Sequence, residues 1–179
     1  IIFSMPNFMT YLTALSITVI FILLFERIAI KIGLVDVPGG RKAHQKNIPL
    51  IGGIAIFIGF TFALLTVNLS LSNYRCLLSV CAMMVFTGIL DDFHELSARA
   101  RLFVQIFAGC LTVWWGKNSL WTFGHLLNTS EIKLGYFSIP VTVFAITAMI
   151  NATNMVDGVD GLAGCISIIQ LFYLSWVAH

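Results

Sequence analysis

Charge is what this chain has least of. Only 10% of its 179 residues are Asp, Glu, Lys or Arg, where a soluble domain carries about a quarter. With 59% hydrophobic residues and a mean hydropathy of +0.95, that scarcity excludes an ordinary soluble globule and points to a polytopic membrane protein. The four cysteines, Cys76, Cys81, Cys110 and Cys165, have no ligand spacing such as Cys-x-x-Cys, so they read as small buried hydrophobes. The first apolar run lacks a basic leader, so no cleavable signal peptide is expected. Tandem repeats and low-complexity stretches are absent from the sequence. The net charge of +2 says little by itself, and no nucleic-acid partner is expected.

What is there is a series of apolar runs separated by short polar loops. Runs poor in charge place helices at about 8–30, 48–68, 72–90, 102–121, 134–151 and 161–178, the first charge-free run ending at Glu26-Arg27. Arg75 can snorkel at the start of the third. The expected fold is all-α, a polytopic helix bundle forming one integral membrane domain over 1–179. Arg27, Lys31, Arg41, Lys42, Lys46, Arg99 and Arg101 flank the loops after the first and third helices, against Arg75, Lys117 and Lys133 on the other side. The positive-inside bias then puts the first group in the cytoplasm and the amino terminus outside. All five aspartates, with His44 and His94, fall on the cytoplasmic face. Trp114, Trp115, Trp121 and Tyr136 gather at the outer ends of helices four and five, as an aromatic belt would.

Three cytoplasmic segments carry candidate chemistry. Residues 151–164 read Asn-Ala-Thr-Asn-Met-Val-Asp-Gly-Val-Asp-Gly-Leu-Ala-Gly between two apolar runs. Carboxylates are costly inside a membrane, by roughly 2.5–3.5 kcal/mol each at its centre. Asn151, Asn154 and Asp157 recur every third residue, so a helix puts them on one face. Asp160 continues the series. Such a face, beside glycines that let a ligand approach the backbone, suits a metal or phosphate. Asn and Gly are also ordinary turn residues, but Asp-Gly-x-Asp-Gly-Leu is too ordered for a generic loop.

Residues 36–53 frame a basic patch, Arg41, Lys42, His44 and Lys46, between Asp36-x-Pro38 and Pro49-x-x-Gly52-Gly53. Pro38, Gly39 and Gly40 are expected to break the first helix, Pro49 to start the second, and Gly52-Gly53 to let a neighbour pack closely. A positive-inside loop accounts for the charge alone; the framing favours an anion site for phosphate. Residues 88–105 place Asp91-Asp92 at the end of an apolar helix, where the helix dipole disfavours anions. Mg²⁺ or Mn²⁺ would compensate. Arg99 and Arg101 could also neutralise the pair or hold a phosphate, and a solvated loop with local salt bridges is the plainer reading. Metal carboxylates, phosphate-binding cations and amides on one face are the equipment of phosphoryl transfer.

These three stretches, in this order, resemble the polyprenyl-phosphate N-acetylhexosamine-1-phosphate transferases, glycosyltransferase family 4. Arg41-Lys42-x-His44 followed by Ile48-Pro49-Leu-Ile-Gly-Gly is most similar to the GlcNAc-1-phosphate branch. The pentapeptide branch usually has Thr-Pro-Thr-Met-Gly-Gly there, and a lysine where this chain has Glu95. The resemblance implies that undecaprenyl phosphate attacks the sugar-linked phosphate of UDP-GlcNAc, releasing UMP and leaving a lipid-linked diphospho-sugar for lipopolysaccharide or cell-wall synthesis. It implies Mg²⁺ or Mn²⁺ held by Asp91, Asp92 and Asp157, with Asp160 also catalytic and one of the Asp91-Asp92 pair a base. It implies nucleotide and phosphate binding by Asn151, Asn154, Arg41, Lys42, His44, Arg99 and Arg101. The expected location is the bacterial inner membrane, with the active face cytoplasmic.

The family has ten or eleven helices; its later loops, with a further aspartate and a histidine-rich motif, have no counterpart here. The expectation is therefore an amino-terminal fragment or truncated product without a complete active site. Three other readings stand beside the main one: the pentapeptide transferase, an inactive fragment that only binds lipid or a partner, and a transporter or channel. A transporter should carry acids near mid-helix. The oligomeric state is open, with a homodimer as one candidate.

Overall fold

The computed structural model describes residues 8–36, 48–67, 70–124, 130–156 and 161–177. Six α-helices dominate them: α1 (Phe8–Ile32), α2 (Gly52–Thr66), α3 (Arg75–His94), α4 (Ala98–Trp114), α5 (Ser138–Val156) and α6 (Leu162–Val177). The only paired strands among the described residues are β1 (Val35–Asp36) and β2 (Ile48–Pro49), a two-residue antiparallel ladder. Helix is forced by composition, because an apolar chain in lipid must satisfy its backbone internally. A span needs about 20 residues at 1.5 Å rise. α1, α3 and the run Gly135–Val156 are long and apolar enough to cross a membrane; α2 and α6 are apolar but shorter. The fold class is that of an all-α membrane protein. The chain divides into two compact units, 1–104 and 105–179.

In the first unit, α1 packs on α2. Ala55, Gly59 and Ala63 recur every fourth residue along α2 and are all buried, a small-residue ridge suited to close helix contact. At Gly59 a Cβ would lie 2.8 Å from the Ala14 carbonyl oxygen and would overlap the Thr18 hydroxyl. Ala29, Leu34 and Ile51 form a buried cluster with Leu50 and Ile54 packed against it.

Two expectations change here. The first helix is broken by Gly33, not by Pro38: Gly33 takes φ +75°, and the Leu34 N–H donates to Ala29 O at 2.9 Å, a Schellman end. Nor does Pro49 start the second helix. It pairs with Val35 in the ladder, the Leu50 N–H donates to Leu34 O, and α2 begins at Gly52. A Cβ on Gly52 or Gly53 would meet nothing within 4 Å, so close packing is a property of Gly59 instead. The ladder matters for the site because it pins Asp36 and Ile48, the two ends of the basic segment, side by side.

In the second unit, α4 and α5 approach through Gly109, where a Cβ would stand 3.1 Å from Val143 Cγ1. Hydroxyl groups stitch the end where α4 stops and α5 starts. Ser138 Oγ donates to Leu120 O at 2.6 Å, and Thr142 Oγ1 accepts from the Leu120 N–H at 2.8 Å. α4 ends at Trp114, earlier than expected, because the chain turns through Gly116 and Lys117, the latter at φ +53°. Trp114, Trp115, Trp121 and Tyr136 are all exposed around this end. α6 buries none of its residues, which corrects the reading of the cysteines: Cys165 is exposed on it, and Cys76, Cys81 and Cys110 are half-buried.

Candidate functional site

In the first unit, Asp91 and Asp92 occupy the last turn of α3, which runs on to His94. Helix dipole and adjacent acids are unfavourable together, and the chain answers locally. Asp91 Oδ1 accepts the Leu96 N–H at 2.8 Å, and Asp91 Oδ2 meets Arg101 Nη1 at 3.3 Å. The Asp91 carbonyl also takes the Glu95 N–H at 2.8 Å. Glu95 closes the helix in the left-handed region, φ 45°, a conformation that costs of order 1 kcal/mol for a residue with a Cβ. The chain then restarts: Ser97 Oγ accepts the Ala100 N–H at 3.3 Å, an N-cap for α4. Asp91 thus ties the α3 end to the α4 start, while Asp92 beside it is exposed, as is Arg99 on the first turn of α4.

In the second unit, α5 extends to Val156, five residues past its expected end, and so carries Asn151 and Asn154 within its last two turns. They lie three apart on one face. Asn151 Nδ2 donates to Gln105 Oε1 at 2.5 Å and to Thr147 O at 2.9 Å. Gln105 is 3% exposed, and Asn154 is exposed. The Thr147 hydroxyl is buried with no hydrogen-bond partner among the described residues. Arg41, Lys42, His44, Asp157 and Asp160 lie outside the described residues.

The structure thus joins Asp91 to Arg101, and Asn151 to Gln105. Sequence reading had a role for three of these four residues and none for Gln105. The available signal was one amide inside an apolar run.

Residues 74–179 match the family model for glycosyl transferase family 4. The chain belongs to that family. Its similarity to curated relatives extends further, into the amino-terminal half. It is 41% identical over 167 residues, 93% of its length, to an undecaprenyl-phosphate alpha-N-acetylglucosaminyl 1-phosphate transferase of Yersinia pestis. The protein of that name in Escherichia coli K12 is 37% identical over 89% of the chain. A probable undecaprenyl-phosphate N-acetylglucosaminyl 1-phosphate transferase of Bacillus subtilis is 38% identical over 93%. The chain spans about half the length of these relatives, 44–46%.

Within a family 4 chain, the carboxylates meet the chemistry of a hard divalent cation, since Asp91, Asp92 and Asp157 offer only oxygen donors. Asp91 and Asp92 are neighbours on one helical turn. No three His, Cys, Asp or Glu side chains group closely enough to hold a metal among the described residues, to which Asp157 does not belong.

Proposed function

We propose that this family 4 chain carries part of a membrane transferase for GlcNAc-1-phosphate, with UDP-GlcNAc as donor and undecaprenyl phosphate as acceptor. One observation carries the reading. Relatives with 37–41% identity over about nine-tenths of the chain bear N-acetylglucosaminyl 1-phosphate transfer and undecaprenyl phosphate in their names.

An oxygen of the lipid phosphate forms a bond to the sugar-linked phosphorus. The pyrophosphate P–O bond breaks, and UMP leaves with the bridging oxygen. Catalysis of this kind is positioning plus charge neutralisation. Arg41, Lys42 and His44 hold phosphate, on a segment whose ends the ladder pins together. Asp91 orders the turn between α3 and α4 through Arg101 and Leu96. Asp92 is the exposed member of the pair and takes the lipid phosphate proton when that phosphate enters protonated. Asn151, Asn154, Asp157 and Asp160 bind the nucleotide sugar. Mg²⁺ or Mn²⁺, held by Asp91, Asp92 and Asp157, would neutralise the developing phosphate charge. The site faces the cytoplasm across a bacterial inner membrane, and the product feeds envelope polysaccharide synthesis.

The test is release of UMP by membranes containing the protein, given UDP-GlcNAc, Mg²⁺ and undecaprenyl phosphate. Lipid-dependent UMP release is expected. No release with any UDP-N-acetylhexosamine would reject the enzyme reading.

A further inference from the structure

We propose that Gln105 is a positioning residue that acts through Asn151, holding its amide in the orientation that offers Oδ1 to the ligand. The inference rests on the transferase reading above.

Gln105 is a neutral amide with 3% exposure inside the apolar helix α4. An amide buried there without a partner costs about 1–3 kcal/mol, so its contact is the point of interest. That contact is Asn151, 46 residues away in sequence. The polarity of the pair is set by geometry. Thr147 O, 2.9 Å from the Asn151 side chain, is a backbone carbonyl and only accepts. The atom facing it must therefore be Nδ2. Gln105, 2.5 Å from the same Nδ2, must then present its Oε1.

These two bonds commit both protons of the Asn151 amide. Oδ1 is what the side chain has left, so Asn151 offers the ligand an acceptor and no donor. Without Gln105 one amide proton loses its partner, and the side chain is held by a single bond. The acceptor suits an electropositive group, either an N–H of the nucleotide sugar or a divalent cation. UDP-GlcNAc carries such N–H groups on its uracil and its acetamide; polyprenyl phosphate carries none. The effect of Gln105 should therefore fall on the donor substrate or the metal and leave the lipid substrate alone.

The experiment measures steady-state UMP release in membranes for the wild type, Gln105→Met, Gln105→Glu, Asn151→Ala and the Gln105→Met/Asn151→Ala double variant. Gln105→Met keeps the volume and removes the acceptor; Gln105→Glu keeps an acceptor oxygen. Loss of such a supporting contact typically costs about 10- to 100-fold. A rise of that size is expected for Gln105→Met in the KM for UDP-GlcNAc, if Oδ1 meets an N–H, or in half-saturating Mg²⁺, if it meets the cation. The KM for undecaprenyl phosphate should stay unchanged. Gln105→Glu should recover most of the loss, and the double variant should be no worse than Asn151→Ala alone.

Wild-type behaviour of Gln105→Met, losses that multiply in the double variant, or a parallel rise in both substrate KM values would overturn the inference. In those cases a defective Asn151→Ala leaves the transferase reading standing. Wild-type behaviour of Asn151→Ala would remove Asn151 from the site and take this inference with it. A wild type that releases no UMP rejects both.

Discussion

The Arg101 guanidinium stands 3.3 Å from the Asp91 carboxylate and links the first turn of α4 to the last turn of α3. Both side chains are partly exposed, at 46% and 27%, so solvent screens the pair and its worth to stability is about 0.2–1 kcal/mol. Its role is geometric. Arg101→Ala is expected to shift thermal unfolding by less than about 4 °C for a domain of this size and to reduce UMP release about tenfold or more by loosening the turn that presents Asp92. A large drop in melting temperature without loss of turnover per folded molecule would assign the pair to stability instead.

Gly59 and Gly53 make a matched pair of substitutions. At Gly59 an added methyl meets backbone at 2.8 Å, whereas at Gly53 it meets open space. Gly59→Ala should destabilise the detergent-solubilised protein by about 1–3 kcal/mol, the usual cost of overpacking. Gly53→Ala should be neutral or slightly stabilising, because Ala is the better helix former. Equal effects at the two positions would show that α1 and α2 are not in close contact there.

The carboxylates are tested by isosteric neutralisation. Asp92→Asn and Asp157→Asn should each lower turnover on the order of 10²-fold or more, the scale for losing a group aimed at transition-state charge, with expression unchanged. Wild-type rates in either variant would remove that residue from the mechanism.

Metal dependence has a direct readout. EDTA should abolish UMP release, and Mg²⁺ or Mn²⁺ should restore it, because the proposed donor set is all oxygen. Turnover that survives exhaustive chelation would rule the metal out.

Orientation is read by a single thiol. With the native cysteines replaced, Glu95→Cys should resist a membrane-impermeant reagent applied to intact cells, as the bias of Lys and Arg toward the loops after the first and third helices predicts. Ready labelling would invert the topology.

Much of the fold could be read from hydropathy. Six α-helices form among the described residues, five of them apolar, because apolar runs have no other way to satisfy their backbone in lipid. The boundaries were less legible. Pro38 and Pro49 look like punctuation, yet Gly33 ends α1 eight residues before Arg41 and a strand ladder consumes Pro49. Both outcomes depend on a pairing between Val35–Asp36 and Ile48–Pro49 that local propensity does not announce. Gly52-Gly53 and Gly59 look alike in sequence, and only the neighbouring helix separates them.

The site divides in the same way. Asp91-Asp92 at a helix end, and Asn151 and Asn154 three apart, are local facts, and composition and spacing alone determined them. So did the membrane class of the chain, since its charge deficit and apolar runs leave no soluble alternative. Tertiary structure alone decided how Asp91 is neutralised, by Arg101 across a left-handed Glu95, and which buried amide faces Asn151. Those are contacts between groups ten and 46 residues apart. Hydrogen bonds and ion pairs act over about 3 Å, and folding, not spacing along the chain, brings such groups within that range.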